Sequence, residues 1–241
     1  IMALPTLNVP YYETTLPCTG KTVNYRPFLV KEEKVLLVAA EDGKNSTVSK
    51  ALVDVVNSCV KDLDASTLPM SDLEYLFLQI RIKAVGEIVE ANIPCQQCEE
   101  PTQIKMDLTK VKVNVKEGND PKIMLTDEIG VQLKYPNMKI VSENASEDGE
   151  IDPSQSFDVV ADCVECIFDK DKIYNSDDHD KEEILGFLDS LSQQQFAKIT
   201  TFFESIPTMT YDLKYKCPKC TKQNKRTLEG IQDFFSYASA T

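Results

Sequence analysis

The sequence predicts an α+β fold that combines small antiparallel β-sheets, a zinc-ribbon-like module with four cysteines, and helical hairpin segments. Two Cys-x-x-Cys pairs each stand between segments in which apolar and polar residues alternate, which is the strand–turn–strand pattern of a zinc ribbon. Apolar residues recur at helical spacing in residues 45–85 and 157–206. Short alternating segments between residues 102 and 135, broken by glycine and proline, indicate further strands.

Length and hydropathy are those of an ordinary globular protein. A chain of 241 residues is long enough for a sizeable core, in one large domain or two small ones. No apolar run reaches the length of a membrane span, and the first residues lack the basic-then-apolar pattern of a secretion signal. These features predict a reducing cytoplasm, where closely spaced cysteines bind metal more often than they form disulfides.

The charge distribution opposes one class of function. A net charge of −13 disfavours nonspecific binding to nucleic acid, which requires clustered basic residues. A basic patch nevertheless surrounds the second cysteine pair and consists of Lys214, Lys216, Lys219, Lys222, Lys225 and Arg226. Two interpretations stay open: the patch balances the roughly two negative charges of a zinc ion held by four thiolates, or it contacts nucleic acid.

The N-terminal region, residues 1–86, is predicted to be α+β. Residues 1–40 are rich in Pro, Tyr, Val and Leu, and within them residues 22–30 and 34–40 are predicted to be extended. A helix capped by Asn45 or Ser46 follows and runs to about Lys61.

A second helix is marked more clearly in the same region. Ser71 and Glu74 have the spacing of a capping box, and Gly86 provides a stop signal after the last apolar repeat. Cys59 lies on the apolar face of the preceding helix and is predicted to be a core thiol.

Residues 87–140 are predicted to form the first cysteine knuckle and a β region. Strands at residues 87–93 and 102–108 flank the first pair, and three further short strands extend to residue 135. We expect these strands to form a meander or small sheet attached to the metal site. The polar, acidic residues 142–152 are predicted to be an exposed loop.

Residues 152–207 are predicted to be helical, beginning at Asp152-Pro153. An apolar stripe continues through residues 157–167 and places Cys163 and Cys166 on a helix. Because a helix interior lacks the turn of a knuckle, we expect packed thiols there, with a metal or redox role as the alternative.

Two further helices in this region carry capping boxes. Asp180 with Glu183 caps the first, so the acidic loop 177–180 and its histidine are interpreted as a solvated cap, with a divalent-ion site as the alternative. Ser192 with Gln195 caps the second, which ends at Pro207. The phenylalanines of this last helix are predicted to be core, and any exposed one would form a partner surface.

The last region, residues 208–241, contains the second knuckle and is predicted to pack against residues 87–140. We expect one structural Zn²⁺ ion to be shared by Cys95, Cys98, Cys217 and Cys220. Two intervening residues let both sulfurs of a pair reach one ion, and turn N–H groups stabilise the thiolates. Unrelated pairs of buried thiols, or a disulfide, are the alternative.

The sequence offers little to catalysis. It has a single histidine, and the phosphate-binding, nucleophile-elbow and H-E-x-x-H patterns are missing. Four thiolates leave a zinc ion no open coordination position for substrate or water. We therefore predict a binding or structural protein rather than an enzyme.

A run of C-terminal motifs points to a family. It consists of residues 192–196 (SQQQF), 202–207 (FFESIP), 217–220 (CPKC), 228–231 (LEGI) and 233–235 (DFF). In order and spacing it resembles the baseplate hub protein family of T4-like contractile-tailed bacteriophages, which includes hub subunits and the hub assembly factor.

The resemblance implies a non-enzymatic role in the virion tail baseplate, or in its assembly in the infected bacterial cytoplasm. It implies other hub or tail proteins as partners and leaves oligomerisation open. Two other classes stay open. A zinc-ribbon nucleic-acid-binding or transcription-associated factor would use the basic patch, and a thiol oxidoreductase would use Cys163 or Cys166.

Overall fold

The computed structural model describes residues 7–145 and 155–230, and within them the chain is a mixed α+β protein, as predicted. The helices are α1 (Val30–Asp42), α2 (Asn45–Cys59), α3 (Met70–Val85), α4 (Met138–Asn144), α5 (Ser156–Asp162), α6 (Lys181–Asp189) and α7 (Gln193–Glu204). The strands are β1 (Tyr12–Thr15), β2 (Thr22–Tyr25), β3 (Ile88–Pro94), β4 (Pro101–Asp107), β5 (Lys112–Asn114), β6 (Lys122–Met124), β7 (Gly130–Leu133), β8 (Val164–Phe168), β9 (Ile173–Asn175), β10 (Thr208–Lys216) and β11 (Gln223–Glu229). None of the helices described could cross a membrane, being too short or too polar.

All strand pairs in the described ranges are antiparallel, and they form four small sheets. Two are hairpins, β1–β2 and β3–β4. A third sheet has the order β11–β10–β5, and the fourth has the order β6–β7–β8–β9. The hairpins β3–β4 and β10–β11 are the two that end in cysteine pairs.

Two hydrophobic clusters hold these elements together. In the first, α3 contributes Leu73, Leu76, Phe77 and Ile80 from one face, and the inner faces of the three hairpins pack around α2 and α3. In the second, α6 and α7 cover the four-stranded sheet, with Phe202 fully buried. The two cysteine hairpins therefore share one core. The boundaries of the four predicted regions stay a prediction.

Helix α1 corrects the prediction that residues 34–40 are extended, and residues 26–29 likewise lie beyond the end of β2. The apolar run Val35–Ala40 suggested a strand, but the Lys, Glu, Leu and Ala residues that dominate this segment favour a helix, and its contacts and caps stabilise it. Glu32 accepts a hydrogen bond from the Leu29 N–H at 2.8 Å and pairs with Arg26 at 2.9 Å. Gly43 ends the helix at φ 69°, and α1 packs along α2.

The start of α3 also differs from the prediction, although its end at Gly86 is confirmed. The predicted capping box is wrong, because the helix begins at Met70 and Ser71 lies inside its first turn. The Ser71 hydroxyl instead donates to the Pro207 carbonyl. This contact joins α3 to the chain just before β10, the first strand of the second knuckle.

Cys163 and Cys166 do not lie on one helix, which corrects the helical prediction for residues 163–167. Helix α5 ends at Asp162, and Val164–Phe168 form strand β8, in which Cys166 lies opposite Gln132 of β7. An apolar stripe this short fits the residue spacing of either a helix or a strand. Hydrogen bonding to β7 makes this segment a strand. Burial raises the pKa of Cys163 to about 12, so this thiol stays protonated at neutral pH.

Two predictions about the middle of the chain need correction. Only β5 joins the sheet of the second knuckle, whereas β6 and β7 belong to the same sheet as β8 and β9, in the other core. Residues 142–144, predicted as loop, form the end of α4. The rest of the predicted acidic loop and the Asp152-Pro153 start lie outside the described residues.

Both late capping boxes are confirmed. The Asp180 carboxylate accepts a hydrogen bond from the Glu183 N–H at 2.9 Å, and His179 Nδ1 lies 2.9 Å from the Glu183 carboxylate. Ser192 and Gln195 cap α7 in the same manner. His179 thus belongs to the cap of α6, in agreement with the interpretation of residues 177–180 as a solvated helix cap.

Candidate metal centre

The first knuckle lies in the turn between β3 and β4. The Cys95 N–H donates to the Glu100 carbonyl at 3.0 Å, and the Glu99 N–H donates to the Cys95 carbonyl at 3.0 Å. Glu99 has a positive φ of 58°, which reverses the chain after the second cysteine. The Gln97 N–H points at the Cys95 sulfur at 3.5 Å, which is the contact expected for a turn that stabilises a thiolate.

The second knuckle, between β10 and β11, repeats both backbone hydrogen bonds of this turn. The Cys217 N–H donates to the Lys222 carbonyl at 2.9 Å, and the Thr221 N–H donates to the Cys217 carbonyl at 3.1 Å. Thr221 also has a φ of 58°, and the Cys220 N–H lies 3.5 Å from the Cys217 sulfur. Two segments far apart in the chain therefore present their sulfurs in the same way.

The fold brings the four predicted cysteines together. Their sulfur atoms all lie within 4.8 Å of one another. The Cys95–Cys220 and Cys98–Cys217 sulfur pairs are each separated by 3.6 Å. A disulfide requires about 2.05 Å, and these cysteines are free thiols.

The arrangement fits a zinc ion. Four sulfurs at about 2.3 Å from a tetrahedral ion are separated by about 3.8 Å along each edge. The observed separations of 3.6 Å to at most 4.8 Å bracket this value. The cluster can therefore hold a tetrahedral metal ion, with no protein ligand missing and no position left for substrate.

Contacts beyond the sulfurs align the two hairpins. The Tyr215 hydroxyl donates to the Pro94 carbonyl at 2.9 Å, and the Asp107 N–H donates to the Tyr211 hydroxyl at 3.1 Å. Lys219 pairs with Glu100 at 2.8 Å across the site. The hairpins are thus positioned along their length, and a metal would fix only their tips.

Asn224 is a site residue that sequence reasoning missed. It is 2% exposed on β11; its Oδ1 accepts from the Gln96 N–H at 3.1 Å, and its Nδ2 lies 3.6 Å from the Cys95 sulfur. It therefore supports the first knuckle from the second hairpin. Its inward position in the alternating strand, where an apolar residue is usual, is the signal that could have revealed it.

The knuckle turns favour ionised sulfurs. The Gln97 N–H lowers the pKa of Cys95 to about 6 against the effect of burial, and the Cys220 N–H lowers the pKa of Cys217 in the same way. The Glu100 N–H lowers the pKa of Cys98, but burial and the three neighbouring thiols outweigh it and raise that pKa to about 12. Without a metal, Cys98 therefore stays protonated beside the ionised Cys95, whereas a cation stabilises all four thiolates.

One protein-family model matches a range of residues that includes both hydrophobic clusters and all four cysteines of the centre. The model for the T4 bacteriophage base plate protein matches residues 9–236. The chain belongs to this base plate protein family. The resemblance inferred from the last fifty residues is confirmed and extends over nearly the entire chain.

A curated relative is similar over a comparable span. The baseplate hub assembly protein gp26 of Enterobacteria phage T4 is 21% identical over 225 residues, which are 93% of this chain and 97% of the relative. No solved structure gives a significant match.

In this base plate protein the β1–β2 hairpin repeats the knuckle turn without the sulfurs. The Leu16 N–H donates to the Lys21 carbonyl at 2.9 Å, the Gly20 N–H donates to the Leu16 carbonyl at 2.9 Å, and Gly20 has a φ of 66°. Leu16 and Thr19 occupy the positions of the two cysteines. The buried Asp72 of α3 lies where the turn's N–H groups point: its carboxylate accepts from the Cys18 and Thr19 N–H groups at 2.8 and 3.0 Å.

Proposed function

We propose that this base plate family member is a non-enzymatic component of the baseplate hub, or a factor for hub assembly, and that it acts through protein–protein contacts. The observation that carries the proposal is the family match over residues 9–236, which includes both cores and the four-cysteine centre. The similarity to a relative named for hub assembly supports the hub over other parts of the baseplate.

The metal in this proposal is a structural Zn²⁺ ion bound by Cys95, Cys98, Cys217 and Cys220. A closed thiolate site gives zinc no open coordination position, so the ion would stabilise the fold and take no part in a reaction. The basic patch then balances local charge. Lys214 lies opposite Lys225 in the β10–β11 register, a like-charge pair that a nearby anionic zinc–thiolate group would stabilise.

The partner surface proposed for α6 and α7 lies on the side of the helices that the sheet leaves uncovered. Ile199 and Phe202 are fully buried, whereas Phe196 is half-buried and stacks on Phe157 with ring centroids 4.9 Å apart. Phe157 is 42% exposed. The two rings stand in a groove of about 540 Å³ that also includes Leu188, Leu191, Ala197 and Thr200. An apolar partner segment, such as one face of a helix, fits this groove.

We expect Phe157→Asp to abolish capture of hub or central tail proteins from an infected-cell lysate, because a carboxylate in the groove opposes apolar docking. Zinc content should stay unchanged, and loss of the stacking on Phe196 should lower the melting temperature by only about 1–6 °C. Ile173→Asp is the matched control, since Ile173 is 62% exposed and lies outside the groove. The two variants carry the same change of charge and polarity.

Three outcomes count against the proposal. One is recovery of no hub or tail protein by the unmodified chain, and another is equal loss of capture in both variants. The third is binding of DNA or RNA at physiological salt in a gel shift, which would favour the nucleic-acid-binding alternative and assign the basic patch a different role.

A further inference from the structure

The groove beside Phe157 follows the whole outer face of α7. Its α7 residues recur at a spacing of three or four positions, which is one face of a helix: Gln193, Phe196, Ala197, Thr200, Thr201 and Glu204. The middle of this face consists of the short, exposed side chains of Ala197, Thr200 and Thr201. Because short side chains let a second helix approach closely, this face can accept a helix along its length.

The polar groups in the middle of the groove already have partners. The Thr200 hydroxyl donates to the Phe196 carbonyl at 3.3 Å, and the Thr201 hydroxyl donates to the Ala197 carbonyl at 2.9 Å. The stacked rings of Phe157 and Phe196 add apolar surface. An apolar ligand therefore leaves neither hydroxyl without an acceptor when it covers this part of the groove.

Both ends of the groove carry negative charge. Asp189 is the last residue of α6, shortly before α7 begins at Gln193, and Glu204 is the last residue of α7. Both carboxylate residues line the groove, and neither helix has a basic residue in its last turn. The carbonyl groups at a helix C-terminus carry partial negative charge as well. Each end of the groove therefore attracts a cation.

The basic residues of the neighbouring elements leave these two carboxylates without an ion pair. Within the described residues, neither Asp189 nor Glu204 has a basic partner, and the groove lining includes no lysine or arginine. Lys198 of α7 donates to two carbonyls at the end of β6, and Lys181 of α6 pairs with carboxylates of α5. Lys116 offsets part of the charge at one end, where its ammonium donates to the Glu204 carbonyl at 3.3 Å.

We propose that the groove binds an amphipathic helix of another protein, in which large apolar residues lie between two basic residues about eleven positions apart. This inference rests on the proposed function and specifies the partner of that groove. From Gln193 to Glu204, α7 rises by about 16 Å. A partner helix covers the same length in about eleven residues, which make about three turns. Basic residues at that spacing share one face and reach both ends of the groove.

A second copy of this chain does not supply such a helix among those described. None of the helices α1 to α7 contains two basic residues at this spacing. The net charge of −13 opposes association of two copies at an acidic groove, whereas it favours encounter with a basic partner. Opposite charges at the two ends raise the association rate and select the partner, while the apolar contact supplies most of the affinity.

Two synthetic helical peptides test this inference on the purified full-length chain by fluorescence anisotropy. Both have leucines on one face; the first has two lysines about eleven positions apart on that face, and the second has glutamates there. The lysine peptide is expected to bind at least about tenfold more tightly at low salt, because two opposite-charge contacts replace two like-charge contacts. The preference should shrink as added salt screens these exposed charges.

The double variant Asp189→Asn/Glu204→Gln should bind both peptides alike. It should stay folded, because it removes carboxylates from two helix C-termini, where they interact unfavourably with the helix dipole. Asp171→Asn/Glu182→Gln is the matched control and should keep the preference, since both residues are exposed and lie outside the groove. Phe157→Ala should weaken both peptides, because it removes apolar lining without a change of charge.

Three results would overturn the inference. The first is equal affinity of the unmodified chain for the two peptides, or no binding of either up to about 1 mM. The second is a preference that persists in Asp189→Asn/Glu204→Gln. The third is a dimer in sedimentation velocity that Phe157→Ala dissociates, which would assign the groove to a second copy. Equal binding of both peptides that is lost in Phe157→Ala would overturn only the basic partner, and the proposed function would stand, since the lysate capture tests it separately.

Discussion

Stripping the metal from the purified chain with a strong chelator is expected to lower its melting temperature by roughly 10–20 °C. The ion would join hairpins whose Cys98 and Cys217 are 119 residues apart. Closing a loop of that length removes unfolded-state entropy equivalent to about 4–5 kcal/mol. For a domain of this size, each kcal/mol shifts the melting temperature by about 2–4 °C.

The control for this experiment is Cys18→Ser, which changes a thiol outside the cluster. That variant should melt close to the unmodified chain and should lose the same amount of stability on chelation. An unchanged melting temperature after demonstrated removal of the ion would show that side-chain contacts such as Tyr215 to Pro94 suffice to hold the hairpins together.

Asp72→Ala is expected to destabilise the fold by about 3–5 kcal/mol while leaving metal content unchanged. The carboxylate is fully buried and accepts three hydrogen bonds from the β1–β2 turn, two from backbone N–H groups and one from the Thr19 hydroxyl at 2.7 Å. Hydrogen bonds to a charged group contribute about 1.5–3 kcal/mol each, and their loss leaves buried donors without an acceptor. Denaturant unfolding followed by circular dichroism measures the change.

Asp64→Ala is the matched control for Asp72→Ala. Asp64 also accepts from a backbone N–H and a hydroxyl, those of Ser66, but at an exposed position where water replaces it. The effect of Asp64→Ala should therefore be small. Equal destabilisation by the two substitutions would contradict the role assigned to Asp72 in anchoring the β1–β2 hairpin.

The parts of this fold that local sequence determines were predictable. The Cys-x-x-Cys turns need only six consecutive residues, and the same turn recurs at Leu16–Lys21 with other side chains. The capping boxes of α6 and α7 are equally local. In each case the side chain and its backbone partner are at most three residues apart.

The parts that depend on distant contacts were not predictable in this way. The α1 sequence combines a short apolar run, which fits a strand, with strong helix formers, and the helix is held because Glu32 meets Arg26 and the inner face meets α2. Whether β6 and β7 belong to the knuckle sheet or to β8 depends on non-local strand pairing. In the four-cysteine cluster, spacing identified the candidate ligands, but Asn224 acts on Gln96 and Cys95 of the other hairpin, which no local pattern specifies.

Metal analysis of the purified chain tests the central claim most directly. If Cys95, Cys98, Cys217 and Cys220 hold one shared ion, the unmodified chain contains about one zinc per chain. Cys95→Ser and Cys217→Ser, each made alone, should then lose that same ion entirely, because each removes one ligand of a single site. Two zinc ions per chain, with one retained in each variant, would contradict a site shared between the knuckles.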